Sequence, residues 1–188
     1  MKLLTKILEA NSRFVRPGAF PPLPKNPQQQ FAIFTCMDTR LVEFLEPAMG
    51  IKRGDAKVIK NAGNTLVDAL HGGVIRSLVA AIFMLGVEEI FVIGHRDCGM
   101  ASVDSGELRK RMLARGIDPQ VIEDYVPDLS RWIGSFSCPE ENVISVAGKI
   151  RRNPLIPNDI PIHGLIFCPD DGHLDLLVNG YEHLREKE

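Results

Sequence analysis

Three short apolar runs rich in β-formers, Phe31 to Cys36, Ala56 to Asn61 and Glu89 to Gly94, are separated by stretches whose apolar residues recur at helical spacing, Leu41 to Met49 and Val67 to Leu85. Strands that alternate with helices are joined by crossovers, so they run parallel in a sheet covered by helices on both faces. The expectation is an α/β fold with a mostly parallel sheet of order 2-1-3-4. Near the end, Pro161 to Cys168 and His173 to Val178 flank Pro169, Asp170, Asp171 and Gly172, which suits a hairpin or short looped return and hence an extra C-terminal strand. Asp118 before Pro119 marks one helix start, and Ser137 to Glu141 marks another, for a helix through Arg151.

The chain has 188 residues, 45% of them apolar, which suits one domain with a substantial core over residues 1–188. Within it, residues 1–30 read as an appendage. Leu3, Leu4, Ile7 and Leu8 follow helical spacing, and Pro17, Pro21, Pro22, Pro24 and Pro27 then forbid regular structure. This predicts a helical arm and an extended proline-rich connector lying over the protein's own surface or a partner subunit. The net charge of -2 recommends neither nucleic acid nor an anionic membrane as partner. The one basic run, Arg109 to Arg111 with Arg115, sits among helix formers and reads as a solvated face. No apolar stretch approaches the length of about 20 residues that a membrane span needs. Glu9, Asn11 and Arg13 interrupt any signal-peptide core, so a cytoplasmic location is expected. Thiols stay reduced there, and the four cysteines are better read as metal ligands or small buried residues than as disulfides.

Cys36 falls at the carboxyl end of the first strand, and His95 and Cys98 fall just past the carboxyl end of the third. With order 2-1-3-4 those strands are neighbours whose connections leave in opposite directions, and ligands bind in the crevice opened there. A lone Cys is usually a small apolar filler and a lone His a satisfied core or surface residue. Two thiolates and an imidazole brought to one crevice are a different matter, since they suit zinc and leave one tetrahedral position open, as catalytic rather than structural zinc sites do. Asp38 and Arg40 share the same loop. By contrast His71, His163, His173 and His183, with Cys138 and Cys168, lack partners at useful spacing and are expected to be non-ligands.

Cys-Met-Asp-Thr-Arg at 36 to 40, His-Arg-Asp-Cys-Gly at 95 to 99 and the segment GDAKVIKNAGNT from Gly54 to Thr65 resemble the β-class carbonic anhydrases, most closely their short archaeal-type subgroup. The similarity continues through Val74 to Gly86, Glu140 to Val146, Pro154 to Pro157 and His163 to Ile166. It departs at Thr39, where Ser is common, and at Lys60, where many relatives have Arg. The resemblance implies reversible hydration of CO2 to bicarbonate by hydroxide on Zn2+, with Cys36, His95 and Cys98 as ligands and Asp38 and Arg40 as the catalytic pair. It also implies a homodimer or higher homo-oligomer embraced by the N-terminal arm. Two thiolates cancel the formal charge of the ion and weaken it as an acidifier of water, so neighbouring groups must compensate. Asp38 is suited to accept a hydrogen bond from the metal's water, and Arg40 to keep that carboxylate ionised and off the metal. Val74 is a candidate for the apolar wall against which CO2 rests. Gly63 and Gly99 serve tight turns or let backbone amides approach the site, Gly63 being the candidate for substrate contact, and Asp97 is expected to cap the helix after it.

Three rival readings exist. A related zinc hydrolase of CS2 or COS would carry the same motif residues. A cysteine-based phosphatase or sulfurtransferase would use Cys36 at a strand end, but the phosphatase loop needs arginine six residues later, where Val42 stands. A non-catalytic zinc-binding or assembly protein would have no use for Asp38 and Arg40.

Overall fold

The computed structural model describes residues 2–15, 18 and 20–185; Pro17 of the connector lies outside them. In chain order the elements are α1 (Leu3–Phe14), β1 (Phe31–Cys36), a 3-10 turn (Thr39–Leu41), α2 (Leu45–Ala48), β2 (Ala56–Asn61), α3 (Gly73–Leu85) and β3 (Glu89–His95). There follow a 3-10 turn (Gly99–Ser102), α4 (Ser105–Ala114), α5 (Pro119–Tyr125), α6 (Leu129–Ile133), α7 (Pro139–Arg151), β4 (Ile162–Phe167), β5 (Leu174–Val178) and α8 (Glu182–Arg185). The sheet order is β2-β1-β3-β4-β5, with β1 to β4 parallel and β5 antiparallel beside β4. This is the expected 2-1-3-4 arrangement with an added C-terminal strand.

Side chains alternate across the sheet and build two cores. Ala32, Phe34, Ile90 and Val92 point to one face and pack with Ile75, Leu78 and Ala81 of α3 and Val143, Val146 and Ile150 of α7. Ile33 and Ile93 point to the other and meet Leu41, Leu45 and Phe167. The two long helices thus share one face, while the second face is covered by the 3-10 turn and the single turn of α2. Close packing of α7 depends on Gly94, where an added Cβ would stand 2.5 Å from Val143 Cγ2.

Two helices are shorter than their periodicity suggests. The run from Val67 becomes helical only at Gly73, because Asp68 Oδ1 accepts the amides of Leu70 and His71 at 2.9 and 2.8 Å and so stabilises a competing turn. The stretch from Leu41 to Met49 splits at Glu43, which has φ 55°. Pro47 accounts for the split, since its ring would collide with the carbonyl four residues earlier, that of Glu43, in a continuous helix. Asp118 caps α5 by accepting the Gln120 amide at 2.7 Å, and the basic run lies on α4 with Arg111 paired to Glu107 and Arg109 to Glu123, a solvated face as expected. Among the described residues no helix is long and apolar enough to cross a membrane.

Candidate metal centre

β1 and β3 are adjacent and parallel, so their carboxyl ends deliver Cys36 and His95 to the same edge of the sheet, and the turn after His95 brings Cys98 back. All three are buried, and their donor atoms lie within 4.8 Å of one another. Zinc–sulfur bonds of about 2.3 Å set two sulfurs of a tetrahedron about 3.8 Å apart. Cys36 Sγ and Cys98 Sγ are 3.9 Å apart.

His95 is oriented from behind. Its Nδ1 lies 2.9 Å from the Arg96 carbonyl, which can only accept, so Nδ1 carries the proton and Nε2 presents its lone pair. That Nε2 is buried and has no hydrogen-bond partner. A buried nitrogen without a partner is costly, and a metal ion between it and the two sulfurs resolves the cost. The residues present therefore fit a soft divalent cation such as zinc. Among the described residues no other group of three His, Cys or acidic side chains converges in this way. His163 instead bonds Glu89 and the Gly180 amide, His173 bonds Asp175, His183 meets Arg151, and Cys138 donates to Glu140.

The two sulfurs are close enough for a thiol on one to stabilise a thiolate on the other. Donation from Cys98 holds the Cys36 thiol down at about 4, and Cys98 is pushed up in turn. Burial works against a charged His95, but the negative charge of the neighbouring Cys36 sulfur and the Arg96 carbonyl outweigh it and raise its pKa. The Cys36 sulfur also accepts the Gly63 amide at 3.3 Å. Gly63 has φ 67°, and a Cβ there would stand 2.7 Å from Met100 Cβ and 2.9 Å from Phe136 Cε1. A Gly63→Ala variant should therefore lose about 1–3 kcal/mol of stability and bind zinc more weakly, because strain and overlap both push the amide away from Cys36. Chemical denaturation and a competitive zinc titration check both effects.

Asp38 and Arg40 follow β1 directly. Arg40 donates from Nε to Asp38 Oδ1 at 3.1 Å and from Nη2 to Oδ2 at 2.9 Å, and its amide reaches Oδ1 at 2.9 Å. These bonds hold the Asp38 carboxyl down at about 2. Asp38 Oδ2 is 3.7 Å from His95 Nε2, beside the position the three donors surround. Cys36, Cys98 and Asp38 open onto a cavity of about 280 Å³ whose other walls include Met37, Ala62, Gly63 and Met100. A cleft of about 570 Å³ beside α6 and α7 is larger but contains no such donor set. Val74, in the first turn of α3, packs half-buried against the core and is outside the lining of this cavity. Lys60 pairs with Glu46 at 3.2 Å. Asp97 does not cap the turn that follows it; its carboxylate accepts Arg40 Nη1 at 2.8 Å, a link across 57 residues that no local pattern announces.

The carbonic anhydrase family model matches residues 31–174. This chain belongs to the carbonic anhydrase family. Its class is β, as similar structures show: β-carbonic anhydrase isoform I of Trichomonas vaginalis is 44% identical, with a TM-score of 0.92 over 96% of this chain and 100% of that one. β-Carbonic anhydrase 1 of Mycobacterium tuberculosis is 32% identical over 167 residues, 88% of this chain and 93% of that protein. A carbon disulfide hydrolase of Acidithiobacillus thiooxidans is 31% identical over 163 residues, 81% of this chain and 78% of that protein.

Proposed function

We propose that this β-carbonic anhydrase family member binds one zinc ion through Cys36, His95 and Cys98 and catalyses the reversible hydration of CO2 to bicarbonate and a proton. The observation that carries the reading is a buried set of three donors whose open side faces Asp38, with Asp38 held by Arg40. Zinc would supply a Lewis acid that makes water a nucleophile near neutral pH. The chain's own residues do the rest. His95, protonated at Nδ1, offers Nε2 as a neutral donor, and Cys36 and Cys98 as thiolates would hold the ion from buried positions. Asp38 Oδ2 faces the cavity as an acceptor for an O–H, which would orient the oxygen's lone pair toward substrate. The fork of Arg40 keeps that carboxylate charged and turned aside. Met37, Ala62 and Met100 give the cavity apolar walls suited to a small nonpolar molecule such as CO2.

A second reading follows from the carbon disulfide hydrolase relative, since motif residues alone do not separate CO2 from CS2 or COS. Proton release on mixing with CO2, measured beside sulfide release from CS2, tests the choice. The proposal expects fast proton release and no sulfide above background. Sulfide production without CO2 hydration would overturn it.

The functional unit is proposed to be a homodimer or larger, in the cytoplasm. Leu3, Leu4, Ile7 and Leu8 on α1 are 72%, 67%, 56% and 59% exposed, and no residue of this amphipathic helix is buried. Such a stripe is stabilised by covering it, and a second copy can do so symmetrically. Sedimentation at micromolar concentration should show a dimer or larger species, and deleting the residues before Phe31 should shift it toward monomer. A monomer indifferent to the deletion contradicts the arm's role.

A further inference from the structure

Arg40 is shared between two carboxylates that follow neighbouring strands. One edge of its guanidinium, Nε and Nη2, faces Asp38; the other meets Asp97, with Nη1 donating to Oδ2 at 2.8 Å and Nη2 to the Asp97 carbonyl at 2.7 Å. Both ends of the fork are thereby fixed. The Arg40 side chain is 38% exposed and that of Asp97 89%, so neither ion pair adds much stability by attraction alone. What a second partner adds is geometry: a long side chain gripped at one edge can pivot, whereas one gripped at both edges cannot. Asp97 also sits at φ 52°, left-handed backbone that Asp tolerates and glycine prefers, so the turn by itself asks for no carboxylate.

We propose that Asp97 is a positioning residue that locks the Arg40 fork in place, and that through Arg40 it keeps Asp38 turned away from the metal and the fourth coordination position open. This rests on Cys36, His95 and Cys98 being the metal ligands. It makes the loop after β3 supply both the carboxylate that fixes Arg40 and one of the ligands, Cys98, while His95 comes from the end of β3 itself. The effect belongs to the geometry around the ion rather than to folding.

Asp97→Gly removes the carboxylate while accepting the same φ, so a purely structural turn survives it. The test uses cobalt(II)-substituted protein titrated with azide, read by the visible absorption of the metal. Azide occupies an open position and competes with Asp38 if that carboxylate swings in. Metal uptake, measured first, separates failure of the ligand assignment from failure of this proposal. Asp97→Gly should bind cobalt fully but azide about tenfold more weakly, the lower end of what outer-shell partners contribute. Asp97→Asn keeps an acceptor oxygen and tolerates positive φ, and should stay within about threefold of the parent. Asp38→Ala combined with Asp97→Gly should regain parental azide affinity, because the competing carboxylate is gone. Azide binding by Asp97→Gly within about twofold of the parent overturns the proposal. So does weakening that persists in the double variant, which would mean the site itself is distorted.

Discussion

Cys36→Ala and Cys98→Ala proteins are expected to purify with little or no zinc and to hydrate CO2 no faster than buffer. Each removes one of the three donors that converge among the described residues, and Asp38, the carboxylate beside them, is held aside by Arg40. The loss should also reach stability, because an ion that binds only the folded chain stabilises it by mass action. Elemental analysis, with circular dichroism as a check on folding, measures the outcome. A folded variant that keeps a full equivalent of zinc contradicts the ligand assignment. Uptake of zinc by the metal-free parent should release protons, since Cys36 and burial push the Cys98 thiol up and a thiol must lose its proton to become a ligand.

Asp38→Ala and Arg40→Ala should fail in different ways. The first leaves the three donors untouched, so zinc should remain while the hydration rate falls by about 100-fold or more, the usual scale for losing a positioned proton acceptor. Arg40→Ala frees the carboxylate. Asp38 Oδ2 already lies 3.7 Å from His95 Nε2, close enough for a change of rotamer to bring it onto the ion as a fourth ligand. The expected result is a slower enzyme whose crystal structure shows Asp38 on the metal. The acid side of the behaviour has a definite sign. Hydrogen bonds from Arg40 lower the Asp38 carboxyl to about 2 from 3.8, so the pair's contribution is fully present above about pH 4 and is lost as the pH falls through about 2. In Arg40→Ala that protection ends, and Asp38 should titrate nearer the ordinary carboxylate range. Near-normal rates in both variants would refute the assigned roles even with the ligands correct.

The sheet was legible because its signals are local and repeated: strand-length apolar runs alternating with helical periodicity impose parallel pairing, and parallel pairing brings Cys36 and His95 to one edge. The Pro169 to Gly172 connection likewise announced the return of β5. Periodicity misjudged α3 because the competitor was a single side chain, Asp68, whose bonds to two amides outweigh a short extension of helix. It misjudged Leu41 to Met49 because the break at Glu43 is set by the Pro47 ring four residues later. At the site, ligand types and their placement on neighbouring strand ends could be read in advance. In sequence, the Gly63 amide on the Cys36 sulfur shows only as a glycine that lets the backbone come close. The Asp97 bond to Arg40 had no signal, since it joins two loops through exposed side chains and Asp97 read as an ordinary cap.

The most direct test of the central claim is a zinc titration of metal-free protein in which bound zinc and the stopped-flow CO2 hydration rate are measured on the same samples. The account predicts a rate that rises in proportion to bound zinc and levels off at about one ion per chain, the number a single cluster of three donors can hold. Zinc-loaded protein that hydrates CO2 no faster than buffer, or metal-free protein that does so equally well, would contradict it.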